Sequence, residues 1–138
     1  MIEFKVEGVA VPKQRPRISG RQAYTPKRTR DYEEHVRKSF CSSYNGPVPA
    51  FEKDVPVRVS INIFQAIPKS WSKKKQLQAT LGEILPLSRN GDIDNIAKSI
   101  LDALNGYAYE DDCQVVTLII TKAYGVQPRA EVWLREEV

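Results

Sequence analysis

Asp92-Ile93-Asp94-Asn95-Ile96-Ala97-Lys98-Ser99-Ile100-Leu101-Asp102-Ala103-Leu104-Asn105-Gly106 reads as one amphipathic helix. Ile93, Ile96, Ala97, Ile100, Leu101 and Leu104 recur at helical spacing, and Asn105-Gly106 stops it. Asp94, Lys98 and Asp102, at i, i+4 and i+8, line the opposite face. Downstream, Val115 to Ala123 and Ala130 to Arg135 predict two closing strands, joined by a turn over 125–128. Upstream, Val57, Val59, Ile61 and Ile63 alternate strictly within a strand over 55–67, ended by Pro68. Ser72 caps a short helix running through Lys75 to Leu81 and stopped by Gly82, and Arg89-Asn90-Gly91 makes a turn. Nearer the start, Tyr32, Val36, Phe40 and Tyr44 form one stripe of a helix over 29–44, with Pro26 suited to its first turn and Asn45-Gly46-Pro47 ending it. Residues 8–26 read as a loop, and Ile2 to Val6 as a half-buried strand. The order β-α-β-(α)-α-β-β predicts an α+β fold: a small mixed β-sheet of about four strands with helices packed on one face.

At 138 residues, without internal repeats or a linker, the sequence predicts a single domain over 1–138. Its 41 % apolar and 28 % charged residues suit a globular protein rather than a disordered one. No apolar run approaches the ~20 residues of a membrane span. The N-terminus carries acids where a signal peptide needs bases, so a cytoplasmic location without membrane association is expected.

The rare residues exclude several chemistries. His35 is the one histidine, and Cys41 and Cys113 stand far apart, too few ligands for zinc. His35 lies in a charged helical stretch and is expected to be solvated rather than a catalytic base. The two cysteines are expected to be small core residues. There is no Gly-rich phosphate loop. Any catalysis must run on carboxylates, lysines and a bound hard metal.

Charge is unevenly spread. Residues 1–82 hold 16 Lys/Arg against 7 Asp/Glu, a balance of +9; residues 83–138 hold 5 against 10, a balance of −5. Between 11 and 30 stand Lys13, Arg15, Arg17, Arg21, Lys27, Arg28 and Arg30 without an acid. A second cluster, Lys73-Lys74-Lys75, follows Trp71. Such patches suit a polyphosphate backbone, with counterion release driving the association, and these ten bases are the candidate nucleic-acid contacts.

The basic half is answered by carboxylates in the other. One Asp at a helix start is an ordinary cap, but Asp92 and Asp94 flank a single apolar residue where one cap suffices. A second cluster, Glu110-Asp111-Asp112, precedes the strand at 115. If the two groups converge they repel one another, and such a site stays ionised with a compensating cation. Oxygen ligands alone suit Mg²⁺, with Mn²⁺ as a substitute. Lys98 either pairs with Asp94 or Asp102, for about 0.3–0.5 kcal/mol, or supports charge on a phosphate in a transition state. Asn95 either bonds the backbone or orients Asp92.

At these residues the sequence resembles the RusA family of Holliday junction resolvases. The family pattern, Asp-x-Asp-Asn-x-x-Lys-x-x-x-Asp-x-Leu followed by Asp-Asp-x-Gln-Val, is matched by residues 92–104 and 111–115. Pro12-Lys13-Gln14-Arg15-Pro16-Arg17 is similar to the opening segment of one branch of that family. The resemblance implies a Mg²⁺-dependent endonuclease that cuts four-way DNA junctions as a homodimer. It places the metal-holding catalytic acids at Asp92, Asp94 and Asp112 and the functional lysine at Lys98, with Asp111 either assisting or flanking. Residues 69–82 look like an insertion relative to shorter members. Two alternatives remain at this stage: a metal nuclease with a different DNA or RNA substrate, and a non-catalytic nucleic-acid-binding protein whose acids serve as caps and solubilisers.

Overall fold

The computed structural model describes residues 1–87 and 92–138, so the expected turn at Arg89-Asn90-Gly91 lies outside the described residues. Six strands, β1 (Ile2–Glu7), β2 (Arg17–Ser19), β3 (Gln22–Tyr24), β4 (Val57–Ala66), β5 (Val115–Gly125) and β6 (Arg129–Glu136), join three helices, α1 (Lys27–Ser43), α2 (Lys73–Thr80) and α3 (Ile93–Ala103). The main sheet has the order β1-β6-β4-β5. β4 pairs antiparallel with β6 and parallel with β5, and β6 pairs antiparallel with β1. The expected mixed four-stranded sheet is therefore present.

The period-2 pattern sets the packing. Val57, Val59, Ile61 and Ile63 of β4 are buried beside Phe4 and Val6 of β1 and Ala130, Val132 and Leu134 of β6. Onto this face α1 lays Tyr32, Val36 and Phe40, and α3 lays Ile96, Ile100 and Ala103. Phe40 meets Phe4 edge-on at 5.7 Å and stacks on Tyr44 at 5.3 Å. Ser72 caps α2 as expected, its hydroxyl accepting from the Lys75 N–H at 3.2 Å. Among the described residues no helix is long and apolar enough to cross a membrane.

Two expectations are corrected. The 8–26 loop contains a small hairpin, with Ser19 opposite Gln22 and Gly20 at φ 63° supplying the positive φ a two-residue turn requires. All six of its strand residues are exposed, so no apolar alternation marks it in the sequence. Cys41 and Cys113 are both exposed rather than in the core. Cys41 follows Phe40 and so lies about 100° round α1 from the buried stripe.

Candidate active site

α3 runs back along the sheet, and this places its two ends far apart. Its first turn lies near the end of β4, where Ile96 shares a cleft with Ile63, Phe64 and Ala66. Its last turn meets the start of β5. Gly106 adopts φ 81°, and the buried Tyr109 donates its hydroxyl to the Leu101 carbonyl at 2.7 Å, folding the connection under the helix end. Asp102 therefore meets Asp112, their carboxyl groups within hydrogen-bonding reach, with Asp111 adjacent. Asp92 and Asp94 stay at the opposite end. The rise from Asp94 to Asp102 is about 12 Å for an ideal helix. Among the described residues of one chain, no three His, Cys, Asp or Glu side chains are grouped to hold a metal ion.

Asp92 and Asp94 are exposed. Asp92 occupies the N-cap position of α3 but its side chain makes no capping bond, and Asp94 is the acid of the first turn. The capping role that a lone Asp normally fills is thus unused by Asp92. Lys98, also exposed, has no ion pair among the described residues. Asn95 bonds through its backbone, its carbonyl accepting from the Lys13 N–H at 2.8 Å.

The second acidic group is held rigidly. Asp111 caps the 3-10 turn Asp112–Gln114, accepting from the Asp112 N–H at 2.9 Å. Gln114 is its anchor: Oε1 accepts from the N–H groups of Glu110 and Asp111 at 2.9 and 3.2 Å, while Nε2 donates to the carbonyls of Glu52 and Val55 at 2.9 and 3.1 Å. Sequence reading quoted Gln114 within a motif but missed this work, because two of its partners lie in the distant 52–55 loop. Gln114→Ala removes the buried side chain that ties four partly buried backbone groups together, so a loss of about 1–3 kcal/mol is expected in a urea melt.

Electrostatics at this end are strained toward neutrality. Desolvation raises the Asp112 pKa, the Asp102 contact and the neighbouring charges of Asp111 and Asp102 raise it further, and a hydrogen bond from Asn105 opposes them. The Asn105 Oδ1 is buried without a partner among the described residues. Carboxylates and an orphaned amide oxygen are hard donors of the kind Mg²⁺ selects, but within one chain they form no group of three acids that could hold the ion among the described residues. The Cys113 thiol is pushed up by its hydrogen bond to Asp111 and by the neighbouring acidic charges, the opposite of the lowered pKa that marks a reactive cysteine.

Of the ten expected nucleic-acid contacts, Arg15, Arg17, Arg21, Lys27, Arg28, Arg30, Lys73, Lys74 and Lys75 are exposed. None of the nine has an acidic partner among the described residues. Arg17 and Arg21 ride on the β2–β3 hairpin, which follows directly on the bond from the Gln14 N–H to Thr29. Lys75 lies 4.0 Å over the Trp71 ring, itself edge-on to Tyr124 at 5.3 Å. Lys13 differs: its ammonium is taken up by Glu33 at 2.6 Å and Asp102 at 3.2 Å.

Comparison with known proteins matches residues 7–135 to the family model described as "Endodeoxyribonuclease RusA". The chain is 35 % identical to the uncharacterized protein YqaN of Bacillus subtilis (strain 168), covering 98 % of this chain and 96 % of that one. It is also 30 % identical to a protein of Lactococcus phage r1t named crossover junction endodeoxyribonuclease rusA, over 67 % of this chain and 63 % of that one.

Proposed function

Because this chain belongs to the RusA family of endodeoxyribonucleases, we propose that it is a Mg²⁺-dependent enzyme of DNA recombination and repair. It resolves four-way junctions by paired, symmetric nicks and acts as a homodimer in the cytoplasm or nucleoid. The observation that carries this reading is the presence of two separate acidic groups, exposed Asp92 and Asp94 at the start of α3 with no capping bond from Asp92, and Asp111 and Asp112 held in a capped turn beyond its far end.

The distance between those groups within one chain argues for the dimer. β5 is an edge strand, bonded to β4 alone, and it exposes Val116, Leu118 and Ile119 at 61 %, 41 % and 43 %. A long apolar edge invites a further strand. Pairing two β5 strands antiparallel about a two-fold axis normal to the sheet keeps both helix layers on one side. It also brings the Asp112 end of one chain to the Asp94 end of its partner. Each of the two resulting sites then holds Asp92 and Asp94 from one protomer and Asp112, flanked by Asp111, from the other. Two such sites related by a two-fold axis match the two nicks that resolution requires.

Asp92, Asp94 and Asp112 would hold Mg²⁺, with Mn²⁺ as a substitute, and the ion supplies charge neutralisation at the scissile phosphate and a water of lowered pKa. Lys98, one turn along α3 from Asp94 and free of ion pairs among the described residues, supports charge developing on the phosphate. The basic hairpin, the start of α1 and Lys73 to Lys75 grip the DNA arms.

A labelled four-way junction and a linear duplex of the same arm sequence, each with Mg²⁺ or EDTA, test the proposal. Paired nicks in opposite strands of the junction, dependent on Mg²⁺, are expected. Equal cutting of the duplex would favour a nuclease of another substrate. Absence of cutting with metal, where the junction is bound, would leave a non-catalytic binding protein.

A further inference from the structure

We propose that Lys13 and Asp102 are positioning residues for the Asp112 carboxylate rather than a DNA contact and a surface acid. The inference rests on the metal-site reading above and extends it to two residues to which that reading gives no part. Lys13 stands in the basic stretch, yet its side chain is 22 % exposed and its ammonium lies 2.6 Å from Glu33 Oε1 and 3.2 Å from Asp102 Oδ2. Its backbone is pinned as well, the N–H donating to the Asn95 carbonyl at 2.8 Å. One lysine thus ties the segment after β1 to α1 and to both ends of the acidic face of α3. Partial burial works against the ammonium, but the two carboxylates outweigh it and hold its pKa above the ordinary lysine value. A lysine held so firmly is not available to a phosphate.

The consequence passes along a chain of contacts. Glu33 fixes Lys13 from the α1 side; Lys13 fixes the Asp102 rotamer; Asp102 lies in hydrogen-bonding reach of Asp112. Asp102 and Asp112 repel each other when both are charged, and the Lys13 ammonium 3.2 Å from Asp102 Oδ2 offsets that repulsion. Residues that orient ligands in this way commonly alter metal affinity by about 10–100-fold when removed.

The test uses the full chain and the variants Lys13→Ala, Lys13→Arg and Asp102→Asn. Mn²⁺ binding is read from the electron paramagnetic resonance of the free ion, and junction binding in EDTA is measured alongside. Lys13→Ala and Asp102→Asn are expected to weaken Mn²⁺ binding by about tenfold or more. Lys13→Arg, which keeps the charge, recovers most of the loss, and all three bind the junction in EDTA within about twofold of wild type. Wild-type Mn²⁺ affinity in Lys13→Ala overturns the proposal, even if that variant melts earlier, because a merely structural tie lowers stability without moving affinity. Weaker junction binding with a shallower salt dependence also overturns it and returns Lys13 to the DNA contacts. Should Lys13→Ala fail to fold, the near-isosteric Asp102→Asn decides by the same criterion. A wild type that binds Mn²⁺ yet nicks no DNA defeats the endonuclease reading and leaves this test standing; one that binds no Mn²⁺ defeats both.

Discussion

Asp94→Asn is expected to lower single-turnover nicking of a four-way junction by about a thousandfold or more, with junction binding unchanged or tighter. The magnitude follows from removing one ligand from an ion that supplies several kcal/mol of charge stabilisation, at about 1.4 kcal/mol per factor of ten. The fold offers no competing explanation for such a loss. Asp94 is exposed in the first turn of α3, and the replacement changes charge with almost no change in shape. The forfeited helix-dipole interaction is worth about 0.3–1 kcal/mol, too little to unfold the chain. Binding tightens if anything, because a negative charge facing phosphate is removed. Nicking of labelled junction in Mg²⁺, with gel-shift titration in EDTA, separates the two effects. Retained nicking would reduce these aspartates to helix-end charges and sink the metal-site reading.

The elements legible in the sequence are those whose side chains obey one period. Val57 to Ile63 alternate and become the buried face of β4; Ile96 and Ile100 fall one turn apart and become the buried face of α3. The β2–β3 hairpin broke no rule but signalled nothing, since three-residue exposed strands need no apolar pattern. At the site, sequence showed both acidic groups and left their meeting open. What decided it was the 104–111 turn: with Gly106 at positive φ and Tyr109 buried against Leu101, the chain doubles back tightly, so Asp112 meets Asp102 rather than Asp94. Composition likewise counted Lys13 among free bases, because Glu33 and Asp102, its partners, are distant along the chain and become neighbours through α1–α3 packing.

Mixing two dead variants is expected to restore nicking. If each site draws Asp94 from one protomer and Asp112 from the other, Asp94→Asn and Asp112→Asn homodimers each carry one lesion in both sites and are inactive. In a mixed dimer, both lesions fall in one site and the other keeps a full set of acids. Random association at equal amounts gives about half mixed dimers, hence about a quarter of the wild-type number of intact sites. The product also differs in kind. A mixed dimer has one working site, so it nicks one strand and accumulates a nicked junction, whereas wild type proceeds to separated duplexes. A site built within a single chain makes the opposite prediction, since every site in every dimer then carries one lesion and the mixture stays dead. Co-expressed chains with distinct tags, purified for both tags and assayed on a labelled junction, settle the matter. Absence of nicking in a verified mixed dimer would overturn the antiparallel β5 arrangement while leaving the metal chemistry to the Asp94→Asn experiment.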